Sequence, residues 1–148
     1  MTERPGAAHF LREAVTWPRP WGLAIDGTTR WLAEHVTLAG DSQARRAGML
    51  GRDGMPPGHA LVLAPCQGIH TFGMRFPIDV VGVSRDGRVV TIVTALAPRR
   101  LTLSWRAFAI VELPAGRCRD VALEIGVVVR PQRPATAPGV PTLGPGDL

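Results

Sequence analysis

The sequence predicts a mainly β protein: a compact sandwich or barrel-like sheet of about seven short strands with one short helix. Three observations carry this. Val- and Ile-rich runs of strand length recur through the middle of the chain. Turn-forming Gly and Pro residues separate them roughly every 8 to 12 residues. Asp-Gly pairs stand beside apolar runs at Asp26-Gly27 and Asp86-Gly87, where a tight hairpin needs residues that accept positive φ.

Taken in order, residues 1–20 mix charge with Pro5, Pro18 and Pro20, which interrupt a helix, and are expected as a loosely held arm. Leu23, Ala24 and Ile25 form a strand, Asp26-Gly27 turns, and residues 28–38 return as a second strand. Asp41 or Ser42 can cap a short helix over residues 41–52, with Ala44, Ala47, Met49 and Leu50 facing inward and Gly51 closing it. Pro56-Pro57-Gly58 turns the chain into an apolar strand at 60–63. Residues 78–83 and 89–95 make a hairpin across Asp86-Gly87, and residues 107–113 make a further strand ended by Pro114-Ala115-Gly116. Residues 117–123 suit a brief helical turn, and 125–129 a closing strand. The tail, 131–148, holds five prolines and three glycines in 18 residues. With so few large apolar side chains it cannot offset its ordering entropy and is expected to be disordered. One domain, residues 21–130, remains.

Composition narrows the function classes. All 17 basic residues are Arg, and Lys, Asn and Tyr are absent. Those three amino acids share A/T-rich codons, so their joint loss reflects a GC-rich genome, and the pI of 11.1 follows largely from Arg replacing Lys. The net charge is +5, the Arg residues are scattered without a block, and stacking aromatics are few, which disfavours nucleic acid as a partner. No apolar run nears the ~18 residues of a membrane span. Glu3, Arg4, Arg12 and Glu13 stand where a secretory signal would be apolar, so the expected compartment is the cytoplasm. Cys66 and Cys118 are too few for a disulfide framework and are expected as free thiols.

Several runs together carry a family resemblance: RRAGMLGR from Arg45, CQGIHTFGMRFPIDVV from Cys66, RDGRVV from Arg85 and VELPAG from Val111. In order and spacing they resemble the domain-of-unknown-function family 192 across about residues 22–130. The resemblance implies a compact β-rich fold and no particular activity. The chain departs from the family pattern at Met49-Leu50, whose order is swapped, and at Gly82, where a bulky aromatic is typical. It also lacks the aromatic after Pro98 and the acidic residue after Gly126. Many relatives look exported, whereas no signal peptide is expected from these N-terminal residues.

Residues 66–83, CQGIHTFGMRFPIDVVGV, are the expected functional centre. His70 and Thr71 precede an irregular Gly-containing stretch with Met74 and Arg75, between apolar Phe72 and Phe76. Such a loop suits a shallow groove for a small molecule or an extended peptide. The expected function is therefore a noncatalytic binding or accessory module with His70, Thr71, Met74 and Arg75 at the groove mouth. Asp79 and Glu112 lie among apolar residues, where a carboxylate must be paired or hydrogen-bonded. They either line the same polar groove or accept bonds from a loop backbone or from Arg75, Arg46 or Arg52; the structural role is favoured for Glu112. Two alternatives rest on Cys66 and His70, four residues apart. One is a thiolate nucleophile with Asp79 or Glu112 orienting the imidazole. The other is a soft-metal site, which would need Cys118, His35 or His59 brought close, with Met74 or Asp79 as further donors. Core filling by Cys66 and Met74 is the commoner use of such residues. No cofactor is implied.

Overall fold

The computed structural model describes residues 8–39 and 53–134. The expected helix at 41–52, with Arg46 and Arg52, lies outside the described residues, as do 1–7 and the tail from 135. The described chain forms β1 (Gly22–Ile25), β2 (Trp31–Ala33), β3 (His35–Ala39), β4 (His59–Leu63), β5 (Gly68–His70) and β6 (Ile78–Val83). Then follow β7 (Val89–Leu96), β8 (Leu101–Leu103), β9 (Ala109–Pro114), a one-turn helix α1 (Arg117–Asp120) and β10 (Val129–Gln132). The mainly β class is as the sequence predicts.

The strands make a central five-stranded sheet in the order β3-β4-β9-β6-β7, a three-stranded sheet β10-β1-β2, and a two-stranded ribbon β5-β8. Only the β3–β4 pair in the central sheet is parallel. Side-chain alternation divides this sheet into two apolar faces. Ala60, Val62, Val81, Val83, Ala109, Val111 and Leu113 join one core cluster, with Leu23, Ile25 and Leu32 of the three-stranded sheet. Leu61, Leu63, Ile78, Val80 and Ile110 join a second, closed by Ile69 of β5, Phe76 and Ala107. A sheet covered on both faces needs apolar residues at consecutive positions. This is why all six residues of β6 are buried.

The Asp86-Gly87 hairpin forms as its chemistry demands: Gly87 takes φ 86° and the Ser84 amide donates to the Arg88 carbonyl at 2.8 Å. The single strand expected at 28–38 does not. It breaks at Glu34, because the Gly58 carbonyl accepts the Glu34 and His35 amides at 2.8 and 3.0 Å and redirects the chain. β2 therefore pairs with β1, while β3 pairs with β4 in the other sheet. From Phe10 onward the expected loose arm is held down, since Leu11 and Ala14 are buried in the first cluster and the Phe10 amide donates to Arg85. Gly82, where relatives carry a bulky aromatic, has no room for a side chain here. A Cβ there would stand 2.6 Å from Ser104 Oγ and 3.1 Å from Thr91 Cβ. Those two hydroxyls hydrogen-bond at 2.6 Å, so Ser104, directly after β8, anchors the ribbon to the central sheet.

Candidate functional site

Asp79 lies on β6 with its side chain toward the first core cluster, sharing a face with Val81 and Val83. It is fully buried. Its Oδ1 accepts the Ala95 amide and its Oδ2 the Cys118 amide, both at 2.9 Å. Ala95 sits in an irregularity of β7 at φ 48°, and Cys118 is the second residue of α1. Asp79 therefore ties a distorted strand to α1. The Cys118 thiol also hydrogen-bonds to this carboxylate. Burial first, then the Asp79 charge, then that hydrogen bond push the thiol up to about 12, so it stays protonated at neutral pH and offers no nucleophile.

Glu112 faces the other way. In the β6–β9 register Asp79 is opposite Leu113, whereas Glu112 is opposite Val80 and, across β4, Leu61. Partners in register share a face. Asp79 thus belongs to the first cluster's side and Glu112 to the second's, and the groove expected to be lined by both does not form.

Thr71 is not at a mouth either. It is buried, and its Oγ1 donates to the Ala97 carbonyl at 2.7 Å while accepting the Arg100 amide at 2.9 Å. Its carbonyl accepts the amides of Met74 and Arg99, both at 3.2 Å. A buried hydroxyl placed this way fastens the 97–100 loop, and its single donor is spent inside the fold. Met74 is half-buried against the second cluster, and Arg75 is exposed.

His70 ends a strand rather than riding a loop. Its Nδ1 accepts the Phe72 amide at 3.3 Å, and the two rings lie 5.3 Å apart. The half-buried Cys66 thiol donates to the Gly68 carbonyl at 3.0 Å, so its hydrogen bond goes to the ribbon backbone and not to imidazole. Cys66 packs on the second cluster and Cys118 in the first, on opposite faces of the sheet. No group of three or more His, Cys, Asp or Glu able to hold a metal occurs among the described residues.

What the fold does assemble is the outer face of the β5–β8 ribbon. Gly68 pairs with Leu103 and His70 with Leu101, facing outward; Ile69 and Thr102 face inward. Leu101, Leu103, Trp105 and Phe72 are 65%, 50%, 76% and 55% exposed. A Cβ on Gly68 would approach Leu103 Cδ2 to 2.5 Å, so glycine is what lets that leucine lie across the ribbon. Arg75, Arg99, Arg100 and Arg106 are exposed around these apolar groups. No acidic residue occurs in 66–76 or 97–107. The Ser104 amide donates to Gln67 and the Thr71 amide to Arg100. In an antiparallel ladder these bonds turn the backbone groups of Leu101 and Leu103 to the outer edge. No other described strand pairs with β8. Beside Trp105 a cleft of about 450 Å³ opens between Cys66, Gln67, Arg85 and Phe108. The alternation Leu101-Thr102-Leu103 was the available signal for this face, but three residues are too short a pattern to read as a strand.

The family model of DUF192, described as Uncharacterized ACR, matches residues 23–131. The chain belongs to DUF192. Two solved structures are similar. One, from Sinorhizobium meliloti 1021, is described as a proposed transcription regulator; it is 23% identical with a TM-score of 0.64, over 75% of this chain and 91% of that one. The other is a protein of unknown function from Novosphingobium aromaticivorans DSM 12444, 18% identical with a TM-score of 0.63, over 74% of this chain and 83% of that one. At such identities the likeness shows the fold alone. No curated protein matches the chain. DUF192 membership thus agrees with a β-rich domain and leaves activity to be argued from the site. No helix among the described residues is long and apolar enough to cross a membrane.

Proposed function

We propose that this DUF192 domain is a noncatalytic binding module that takes an extended protein segment against the β5–β8 ribbon. The observation that carries the reading is the row of outward apolar side chains, Phe72, Leu101, Leu103 and Trp105, beside an edge strand that no other described strand pairs. An added strand can use the outward backbone groups of Leu101 and Leu103 for affinity and the apolar side chains for specificity. The exposed guanidiniums of Arg75, Arg99, Arg100 and Arg106 complement acidic flanks. The matching segment therefore has alternating apolar residues bordered by Asp or Glu. His70 stays in the site, at the ribbon's end beside Phe72. Thr71, Asp79 and Glu112 support the scaffold. Leu101 and Leu103 favour a peptide over nucleic acid, because aliphatic side chains offer no stacking surface. The Cys66–His70 enzyme reading finds no support, since the thiol bonds to Gly68.

The test is a defined library of extended peptides, with acidic and with neutral flanks, titrated against the wild type, Trp105→Ala and the double variant Leu101→Ser/Leu103→Ser. The changed side chains are exposed, so the variants keep their fold. Acidic-flanked peptides that bind the wild type and weaken at least about tenfold on each variant support the reading. Equal binding by all three proteins, or preference for single-stranded oligonucleotide over every peptide, would sink it.

A further inference from the structure

We infer that His35 and His59 form a two-imidazole chelate for a divalent transition-metal ion, at a place distinct from the ribbon. These residues open the parallel strands β3 and β4 and are paired in register. Both are exposed, each followed by a buried residue, Val36 and Ala60. Their rings stand 4.9 Å apart between centroids, with planes tilted by 33°.

In a parallel sheet, residues in register project from the same face at a spacing near ~4.8 Å. With metal–nitrogen bonds of about 2.0–2.1 Å, two imidazoles bound side by side on one ion hold their ring centres roughly 4.5–5 Å apart. The sheet thus sets these rings at the separation a chelate requires. Its backbone is fixed there too, because the Gly58 carbonyl, one residue before His59, accepts the His35 amide at 3.0 Å and the Glu34 amide at 2.8 Å. Binding needs rotation of two exposed rings about their side-chain torsions and no movement of the strands. Little ordering entropy is then lost when the ion arrives.

Neutral nitrogen donors select the later first-row divalent ions, with Cu²⁺ bound more tightly than Ni²⁺ or Zn²⁺. Two protein ligands leave the other coordination positions to water or to a donor from another molecule. That is the arrangement of an open site, not of a closed structural one. Neither thiol is part of the pair: Cys66 bonds to Gly68 and Cys118 is buried in the core.

The test is calorimetric titration of the untagged full chain with NiCl₂ and ZnCl₂ in a non-coordinating buffer, followed by electron paramagnetic resonance of the Cu²⁺-loaded protein. The proteins are the wild type, His35→Ala, His59→Ala and, as a control for other imidazoles, His70→Ala. The expected result is one site in the wild type and the control, weakened more than about tenfold in either His35→Ala or His59→Ala because a single imidazole remains. The Cu²⁺ spectrum should show nitrogen coupling that is reduced in both variants. An isotherm unchanged by both substitutions, or no stoichiometric uptake by the wild type, overturns the inference.

Discussion

Asp79 and Glu112 stand on adjacent antiparallel strands and face opposite sides of the central sheet, Asp79 in register with Leu113 and Glu112 with Val80. Two carboxylates that look like a pair along the sequence are separated by the sheet itself. They cannot line one groove, and Asp79 serves the scaffold by holding the Ala95 and Cys118 amides.

Asp79→Ala should destabilise the domain severely. It strips the acceptor from the buried Cys118 amide, at roughly 1–3 kcal/mol, and from the part-buried Ala95 amide at a smaller cost. Asp79→Asn should recover part of the loss, since one oxygen remains to accept while the amide nitrogen meets a donor. Urea denaturation followed by circular dichroism measures both. Wild-type stability in the alanine variant would show that these hydrogen bonds carry no structural weight.

Stability should fall as the solution is made alkaline. The folded Cys118 thiol holds its proton up to about 12, whereas the unfolded thiol begins to lose it near its ordinary value of 9.0. Above 9.0 the unfolded state binds fewer protons, so the stabilisation present below that pH is lost progressively toward 12. The absence of Lys and Tyr keeps the window nearly clear of other side-chain types. Thermal melts from pH 8 upward on a Cys66→Ala background should show the slope, and adding Cys118→Ala should flatten it. A slope that survives the second substitution assigns the effect elsewhere.

Gly82→Ala should cost about 1–3 kcal/mol, because the new methyl meets Ser104 in a packed site. The nearest atoms are Ser104 Oγ at 2.6 Å and Ser104 Cβ at 3.1 Å. Adding Ser104→Ala removes the closer contact and should restore part of the stability. Hydrogen exchange should quicken at the Ser104 and Thr71 amides, which pair the ribbon, in the single variant, since Ser104 is the ribbon's anchor. Unchanged exchange there would mean the ribbon is held by Ile69 and Phe76 alone.

Ala95→Gly should be neutral or stabilising by up to about 1 kcal/mol, as glycine accepts positive φ without a Cβ penalty. Ala95 holds φ 48° with its amide bound to Asp79. Ala95→Val should be clearly worse than either. A melting temperature that drops for glycine as much as for valine would refute the backbone explanation.

Much of the fold was legible in the residues. The cores of β1, β4, β6, β7 and β9 and the Asp86-Gly87 hairpin follow from apolar runs and turn chemistry. Within the expected centre at 66–83, Thr71 is a buried clamp, and Gly68 and His70 pair with Leu103 and Leu101, some thirty residues later. Nothing in a three-residue apolar alternation distinguishes such a strand from loop.

By itself the sequence determined the mainly β class, the strand cores and the DUF192 relationship, because turn propensity and alternation act over a few neighbouring residues. Tertiary structure alone decided which side of the sheet each carboxylate occupies, that Gly58 breaks the expected second strand at Glu34, and that His35 meets His59. Each of those outcomes depends on pairing between segments distant along the chain. A strand's own pattern says that its side chains alternate, and only its neighbours say what each face meets.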